Sequence, residues 1–236
     1  MKKKIKNIIG SGFLSGKFIK YEKLINKLNI CIYAAGVSNS LNNNRKELNK
    51  DFNRLKNFRK FIGKRKIIYI STCSIYDPNR NKSSYVKNKL KIEKFIKNNF
   101  KNYMIIRFPE LVGSSSNKNT LINFFYNNIL STKKFTALVK AKRNLLDVED
   151  AIKLTFFFIK KKKFNEINIA NIKYYNALVI IKNIETICKI AGTYSKNKKK
   201  LTIWKINNSV NNSILRKLKL KFDKKYLPKI IKKYYT

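Results

Sequence analysis

The sequence contains no histidine, 12 acidic residues and three scattered cysteines in 236 residues. Cys31, Cys73 and Cys188 lack the spacing of metal ligands, and the absence of histidine argues against zinc sites and against histidine-based catalysis. We therefore expect no metal. No run of about 20 apolar residues occurs, so we expect no membrane span. An odd number of separated thiols is typical of a reducing compartment and favours a cytoplasmic protein.

Negative charge is scarce, because 55 Lys and Arg residues face 12 Asp and Glu residues, giving a formal charge of +43. Such a charge is typical of proteins that bind nucleic acids or anionic surfaces. However, the lysines are spread along the whole chain, and only eight basic residues are arginine, the residue favoured for phosphate and base contacts. The composition favours biased coding, with no specific nucleic acid expected. With 44% hydrophobic residues the chain can still bury a core.

Short apolar runs alternate with helical patterns in the first half of the chain. Continuous rather than alternating apolar strands are typical of a parallel sheet covered on both faces. The pattern predicts an α/β fold with a doubly wound, Rossmann-like sheet over residues 1–113. It also predicts a small C-terminal substrate lobe over residues 114–236, with interleaved core elements and a basic helical tail. The predicted strands are 5–9, 30–36, 66–71, 103–108 and 166–170, and the predicted helices run to about 28 and over 45–62, 84–98, 119–130, 148–160 and 177–190.

A glycine-rich stretch, "IIGSGFLSG", follows the first predicted strand. Gly10 permits a tight turn, and Gly12 allows the backbone to approach a pyrophosphate at the start of a helix. The third glycine of the full fingerprint is out of register, because Ser15 stands at its position and Gly16 comes one residue later. A glycine turn of this kind is weak evidence by itself, since a plain strand-to-helix turn has the same appearance.

A tyrosine and a lysine four residues apart begin the helix after the third predicted strand. Tyr85 and Lys89 would share one helix face, and an ammonium group near a phenol favours the phenolate, so the tyrosine can act as a general acid or base. The same spacing occurs at Tyr194 and Lys198, which we interpret as chance in a basic loop. The first pair is supported by its position, because ligands of open parallel sheets bind at the carboxyl ends of the strands.

Six segments taken in order, "IIGSGFLSG", "YAAGVS", "YISTCSIYDP", "YVKNK", "IIRFPELVG" and "LLDVEDAIKL", resemble the extended short-chain dehydrogenase/reductases, the NAD-dependent sugar-nucleotide epimerases and dehydratases. The resemblance covers roughly residues 5–190. It implies NAD or NADP as cofactor, with Tyr85 as acid/base, Lys89 on the nicotinamide ribose and Thr72, four residues before Tyr76, on a substrate hydroxyl. It also implies that the residues lining the cofactor are Gly10, Gly12, Phe13, Leu14, Ala34, Ala35, Gly36 and Pro109, together with Tyr85 and Lys89.

Two differences from that family are visible in the sequence. Only about 20 residues separate the glycine turn from the second strand, so two strands and the acidic residue that binds the adenosine ribose are missing. The dehydratases of the family carry Asp and Glu directly after the threonine, where this chain has Cys73 and Ser74. The second difference argues against dehydration and leaves epimerisation or reduction of a keto sugar.

The remaining candidates are less specific. The resemblance places Asn119 and Arg143 where the substrate's nucleotide diphosphate binds, and it implies a homodimer. We interpret Arg107, Asp147 and Cys73 as structural rather than as phosphate-binding, catalytic and reactive residues.

Three functions remain open from the sequence. The first is an NAD(P)-dependent oxidoreductase or epimerase acting on a nucleotide sugar, with a role in surface-polysaccharide synthesis. The second is a degenerate relative that serves as a binding or assembly protein, which the missing strands favour. The third is a nucleic-acid-binding protein on the same scaffold, which the charge favours.

Overall fold

The computed structural model describes residues 6–36, 43–161, 163–199 and 204–236. Val37 and Ser38 of the segment "YAAGVS" therefore lie outside the described residues. The strands are β1 (Ile8–Ile9), β2 (Ile30–Tyr33), β3 (Lys66–Thr72), β4 (Tyr103–Phe108), β5 (Glu110–Val112), β6 (Phe135–Leu138), β7 (Lys142–Arg143), β8 (Leu145–Asp147), β9 (Glu166–Asn168), β10 (Tyr175–Asn176) and β11 (Tyr194–Asn197).

Helices follow most of the strands, and a short 3-10 turn, Cys73–Tyr76, follows β3. The helices are α1 (Phe13–Ile19), α2 (Glu22–Lys27), α3 (Arg45–Arg59), α4 (Ser84–Asn99), α5 (Leu121–Leu130), α6 (Val148–Lys161), α7 (Ala177–Cys188), α8 (Asn212–Lys217) and α9 (Tyr226–Tyr235).

The chain divides into two compact units. The first unit comprises Met1–Phe108 and Leu154–Asn168, and the second comprises Pro109–Lys153 and Ile169–Thr236. The chain thus returns to the first unit after entering the second. The predicted boundary at residue 113 stays a prediction.

Five parallel strands form the sheet of the first unit, in the order β1-β2-β3-β4-β9. This arrangement confirms the predicted Rossmann-like α/β class with its parallel sheet. Strand β1 lies at the edge, and within the described residues no strand pairs with its outer side. A complete doubly wound sheet continues past its first strand in the opposite direction, and a dinucleotide lies across that reversal. The described sheet has no such reversal.

Apolar residues cover both faces of this sheet. On one face, Tyr33 and Tyr69 pack in a cluster with Leu55 of α3 and Ile92 of α4. The residues that alternate with these tyrosines along the strands lie on the other face of the sheet. Ile32 is one of them, and it is fully buried. Burial on both faces explains why the strands are continuously apolar. Also in this unit, α1 and α6 pack through an edge-to-face contact of Phe18 and Phe156, with ring centroids 6.1 Å apart.

The second unit contains three two-stranded ladders: β5 with β8 and β6 with β11 are parallel, and β7 with β10 is antiparallel. Helix α7 packs against α5 and α9. The side chain of Tyr226, on α9, donates a hydrogen bond to Asp150 Oδ2 at 2.9 Å and accepts one from the Asp147 amide at 2.9 Å. These contacts fix the C-terminal helix to the start of α6.

The predicted elements agree with the structure where they are long. The helical pattern that runs to about residue 28 is two helices, α1 and α2, which are separated at Lys20 and Tyr21. The strand predicted over 166–170 ends at Asn168. The strands of the second unit have two to four residues, which is too short for alternation of polar and apolar residues to be recognised.

Candidate active site

The glycine turn brings the end of β1 against the end of β2. Gly10 has φ +135°, and a Cβ placed on it would lie 2.5 Å from the carbonyl oxygen of Ala34, so no other residue fits there. Gly12 has no atom within 4 Å of such a Cβ, which leaves open space above the turn. Ser15 is buried and donates its hydroxyl to the Gly12 carbonyl at 2.7 Å. The serine at the register of the third glycine therefore ties the turn to α1, which begins with Phe13.

Helix α4 carries the tyrosine and the lysine. It begins after Ser83, whose hydroxyl accepts a hydrogen bond from the Val86 amide at 3.3 Å and so caps the helix. Tyr85 lies in the first turn, and Lys89 and Glu93 follow on the same face at intervals of four residues. The phenol is half-buried, while the other two side chains are buried.

The ammonium group of Lys89 is held by contacts on several sides. Its Nζ donates to the carbonyl oxygen of Ile70 at 3.2 Å and lies 5.2 Å from the ring centroid of Tyr69 and 5.8 Å from that of Tyr85. A Cβ on Gly36 would collide with this Nζ, so the glycine leaves room for the lysine to pass beside the end of β2. A carbonyl oxygen and two aromatic faces compensate the loss of water around the buried cation.

Thr72 ends β3 and caps the turn that follows. Its Oγ1 accepts a hydrogen bond from the Ser74 amide at 3.1 Å and donates to Ser74 Oγ at 3.0 Å. The adjacent Cys73 is 1% exposed, and burial raises the pKa of its thiol, which agrees with the structural role predicted for it. Tyr76 accepts a hydrogen bond from Asn168 Nδ2 at 2.9 Å and so joins the end of the turn to β9.

Three predicted site residues, Pro109, Asn119 and Arg143, belong to the second unit, and their roles stay predictions. Asn119 is exposed, and its main-chain N–H donates a hydrogen bond to Asn117 Oδ1 at 3.0 Å. Arg143 Nη1 donates to Glu110 Oε1 at 3.3 Å, so this guanidinium already has one carboxylate partner.

Asp147 also belongs to the second unit and stands directly before α6. Its Oδ1 accepts a hydrogen bond from the Glu149 amide at 2.8 Å, as expected for a residue at a helix start. The same carboxylate accepts bonds from Lys233 and Tyr234 of α9, at 2.8 Å each. These contacts support the structural interpretation.

A cavity of about 380 Å³ opens above the glycine turn. One wall is formed by the turn and the segment after β2, and the other wall is one face of α3, which was not predicted from the sequence. The spacing of the four residues, i, i+3, i+4 and i+7, places them on one face of the helix but does not show what that face lies against. The lining residues are Ser11, Gly12, Ala34, Ala35, Gly36, Glu47, Lys50, Asp51 and Arg54.

Asp51 is the buried member of that wall, with 3% of its surface exposed. The Tyr33 hydroxyl donates to the main-chain carbonyl of Asp51 at 3.0 Å and lies 3.2 Å from Oδ1. Burial, and then the Asp51 charge, raise the pKa of Tyr33. Among the described residues, Asp51 Oδ2 has no hydrogen-bond partner, and neither has the hydroxyl of fully buried Tyr69. Buried polar atoms without partners are rare, and those beside a cavity indicate a ligand or water.

A buried network behind the site joins α4 to the strands. Glu93 accepts hydrogen bonds from Ser71 Oγ at 2.6 Å and from Arg107 Nε and Nη2 at 2.9 and 2.5 Å. Arg107 Nη2 also donates to Glu166 Oε2 at 2.7 Å, and Lys97 pairs with the same carboxylate at 2.6 Å. Burial disfavours the charged guanidinium, but the bonds and charges of its acidic partners outweigh burial and raise the pKa of Arg107. The structural role predicted for Arg107 is thereby supported.

Neither a metal site nor a membrane-spanning helix is present in the part of the chain that the structure describes. No three Cys, Asp or Glu side chains there are placed to hold one metal ion. No helix within residues 6–36, 43–161, 163–199 and 204–236 is long and apolar enough to cross a membrane.

The sequence matches a known protein family over more than half of its length. A sequence profile described as "NAD dependent epimerase/dehydratase family" matches residues 32–170, more than half of the chain. The chain belongs to this family. The match begins inside β2, so the glycine turn lies before the matched residues. No curated protein matches the chain.

Solved structures show the same fold at low identity. RMD from Pseudomonas aeruginosa complexed with NADPH has a TM-score of 0.71 and 12% identity, covering 95% of this chain and 96% of that one. UDP-N-acetylglucosamine 4-epimerase from Bacillus cereus has a TM-score of 0.70 and 17% identity, covering 96% and 93%. dTDP-4-dehydrorhamnose reductase from Bacillus anthracis in complex with NADP has a TM-score of 0.70 and 13% identity, covering 97% of this chain and 97% of that one. At these identities the likeness shows the fold alone.

The family's cofactor can be tested against the residues present. A glycine that nothing else can replace, open space above Gly12 and a cavity along the turn fit a diphosphate. The buried Asp51 oxygen without a partner fits a hydroxyl donor beside it. The residues of the turn and of the segment after β2 therefore fit the diphosphate of a dinucleotide. No described strand flanks β1 on the adenosine side.

Proposed function

We propose that this protein is an NAD(P)-dependent oxidoreductase or epimerase that acts on a nucleotide sugar. The observation that carries the proposal is the placement of Lys89, whose ammonium lies 5.2 Å from the ring centroid of Tyr69, 5.8 Å from that of Tyr85 and next to Gly36, which lines the cavity. Family membership and NAD(P)-bound structures of the same fold support it. A nicotinamide cofactor, when bound, supplies the hydride chemistry, and the protein supplies binding, orientation and proton transfer.

Each residue of the site then has a defined task. Tyr85 gives and takes the proton of the sugar hydroxyl as general acid and base, with the ammonium of Lys89 5.8 Å from its ring centroid. Lys89 also binds the ribose next to the nicotinamide, and Thr72, fixed by Ser74, holds the substrate hydroxyl. The backbone that would line the diphosphate and pass beneath the cofactor comes from Gly10, Gly12, Phe13, Leu14, Ala34, Ala35 and Gly36, with Pro109 predicted near the nicotinamide.

The reaction class follows from what stands next to Thr72. Removal of water from a sugar needs a carboxylate to take a proton and an acid to protonate the leaving hydroxyl. Cys73 is a buried thiol with a raised pKa, and Ser74 is a neutral hydroxyl. Neither provides an acid or a base of suitable strength, so we favour epimerisation or reduction of a keto sugar over dehydration.

The substrate and the setting belong to the same proposal. Asn119 and Arg143 would contact the nucleotide diphosphate of the sugar, since an arginine pairs well with phosphate. The Bacillus cereus protein of the same fold is a UDP-N-acetylglucosamine 4-epimerase, which supports a nucleotide sugar as substrate. A homodimer, a cytoplasmic location and a role in surface-polysaccharide synthesis complete the proposal.

The test is an assay of the purified chain with NAD, NADP and their reduced forms against a panel of UDP- and dTDP-linked sugars. Product formation should fall by roughly a hundredfold or more in Tyr85→Phe, the low end of the range for a general acid/base. Tyr194→Phe is the matched control, because Tyr194 also precedes a lysine by four residues but lies on β11. Equal activity of the two variants would contradict the role of Tyr85.

A non-catalytic binding protein is the second candidate, and one observation favours it. Strand β1 is at the sheet edge, so the adenosine part of a dinucleotide would lack the strands that usually flank it. Tight binding of NADH or a nucleotide sugar, with no turnover of any sugar in the panel, would favour this candidate over the enzyme.

A further inference from the structure

Helix α3 presents four charged side chains to the cavity from one face. Glu47, Lys50, Asp51 and Arg54 recur at i, i+3, i+4 and i+7, and all four line the cavity opposite the glycine turn. We name these four residues the α3 wall. It therefore places two cations and two carboxylates beside the backbone of Gly12 and Ala35.

Two members of the α3 wall have defined positions. Arg54 Nη1 donates to the carbonyl oxygen of Ala35 at 3.4 Å, so the guanidinium lies against the segment after β2. Asp51 Oδ2 lies 3.5 Å from where a Cβ of Gly36 would be, is buried and has no hydrogen-bond partner among the described residues. A buried carboxylate oxygen without a donor beside a cavity is unfavourable unless something in the cavity donates to it.

The chemistry of the α3 wall matches one class of ligand. A carboxylate accepts hydrogen bonds from hydroxyl groups, and arginine and lysine pair with phosphate oxygens. A ribose joined to a diphosphate carries both kinds of group within a few bonds. A plain phosphate or a polyanion would match the cations and be repelled by Asp51.

We propose that the α3 wall is a ribose–diphosphate subsite that replaces the missing strand-end carboxylate. Asp51 Oδ2 accepts a hydrogen bond from a ribose hydroxyl, and Arg54 and Lys50 pair with the diphosphate that crosses the glycine turn. This inference rests on the proposed cofactor. It explains how a chain whose β1 is an edge strand can hold a dinucleotide, since a helix supplies the contacts that the absent strands would supply.

The experiment is a calorimetric titration of the full chain with NADH, NADPH and ADP-ribose at moderate salt. Inorganic polyphosphate is added as a competitor, because the charge of +43 attracts any anion. The variants are Arg54→Met, Asp51→Asn and Lys89→Ala. Arg45→Met is the matched control, because Arg45 is an exposed arginine of the same helix that does not line the cavity.

Arg54→Met should weaken all three ligands by about tenfold or more, whereas Arg45→Met should change them by no more than about twofold. Asp51→Asn should weaken ligands that carry the ribose but leave polyphosphate binding unchanged or stronger. Asp51 also accepts a hydrogen bond from Tyr33, so the thermal unfolding of Asp51→Asn is measured together with its binding. If Asp51→Asn does not fold, the result for Arg54→Met decides alone.

The outcomes separate this inference from the proposed function. NADH binding that Lys89→Ala weakens and Arg54→Met does not would overturn the α3 wall and leave the cofactor in place. Binding of ADP-ribose that depends on Arg54, without binding of NADH or NADPH, would support the α3 wall and overturn the oxidoreductase. Binding that polyphosphate removes and that both arginine variants weaken equally would overturn the α3 wall as a specific site.

Discussion

Glu93 accepts two hydrogen bonds from the Arg107 guanidinium, and both side chains are buried. Glu93 is on α4, one turn after Lys89, and Arg107 is on β4. The same carboxylate accepts the hydroxyl of Ser71, next to Thr72 on β3. One ion pair therefore connects the helix of Tyr85 and Lys89 to the strand end that carries Thr72, and it fixes the position of that helix on the sheet.

Removing the carboxylate of that pair should destabilise the protein strongly. Glu93→Gln should lower the free energy of unfolding by roughly 3 kcal/mol, the low end for breaking a buried ion pair, because Glu166 still holds the guanidinium. The measurement is urea unfolding at neutral pH. Glu22→Gln, an exposed acid in the first turn of α2, should cost less than about 1 kcal/mol. Similar values for the two variants would contradict a structural role of the pair.

Gly10 and Gly16, on either side of Gly12, should respond to alanine with opposite signs. Gly10→Ala should lower the free energy of unfolding by about 2 kcal/mol or more, because φ is +135° and the Cβ meets the Ala34 carbonyl. Gly16→Ala should raise it by about 0.5–1 kcal/mol, since Gly16 is exposed within α1 and a Cβ there meets nothing within 4 Å. Thermal or urea unfolding of the two variants checks both signs, and a stable Gly10→Ala protein would show that the turn is looser than described.

Gly36→Ala should damage the site through Lys89. The new Cβ collides with Lys89 Nζ, which is the far end of a flexible side chain, so the ammonium moves and the fold remains. We expect NADH affinity to fall by about tenfold, with a change in unfolding free energy below about 1 kcal/mol. The double variant Gly36→Ala/Lys89→Ala should bind as Lys89→Ala alone does, because both changes remove one contact. Losses that add in the double variant would mean that the glycine acts independently of the lysine.

The network should also give a defined acid dependence through Glu166. Burial alone would raise the pKa of Glu166, but the bonds and charges of Lys97 and Arg107 outweigh it and hold the pKa below the ordinary value of 4.5. An acid whose pKa is lower in the folded than in the unfolded chain stabilises the fold at pH values above the unfolded-state pKa. This contribution is lost as the pH falls through the lower pKa of the folded state. The difference in unfolding free energy between the protein and Glu166→Gln should thus be constant near neutral pH and shrink below pH 4.5. A difference that grows on acidification would contradict this sign.

The thiols should differ in reactivity. Burial raises the pKa of all three thiols, but Cys31 and Cys73 are buried, whereas Cys188 is partly exposed at the end of α7. A thiol reagent at neutral pH should label one cysteine quickly in the folded chain and all three in urea. Cys188→Ser should remove the fast phase. Rapid labelling of Cys73 would contradict its structural role and reopen the reactive thiol beside Thr72.

The sequence predicted the parts of the fold whose pattern is long and periodic. The buried strands β2, β3 and β4 and the amphipathic helices α3 and α4 lie where periodicity places them. Tyr85 and Lys89 were found because their position after β3 added to a spacing that occurs twice in the chain. The glycine turn was predicted because it follows the first strand, although Ser15 stands at the position of the third glycine.

Other features depend on tertiary contacts that no local pattern reveals. In the sequence, Lys50 and Arg54 cannot be told apart from the many other basic residues of the surface. Only the packing of α3 against the turn places them at the cavity. Glu93 and Arg107 are 14 residues apart in sequence, and only the neighbouring placement of α4 and β4 brings them together. The short strands of the second unit form where other segments supply their partners, since two to four residues carry too little pattern.

The most direct test of the account is a titration with NADH and NADPH of the purified protein and of Lys89→Ala, with a nonspecific polyanion as competitor. The account predicts binding in the micromolar range that the polyanion does not displace and that Lys89→Ala weakens. Absence of binding, or binding that the polyanion abolishes and the variant leaves unchanged, would contradict a cofactor site at Tyr85 and Lys89.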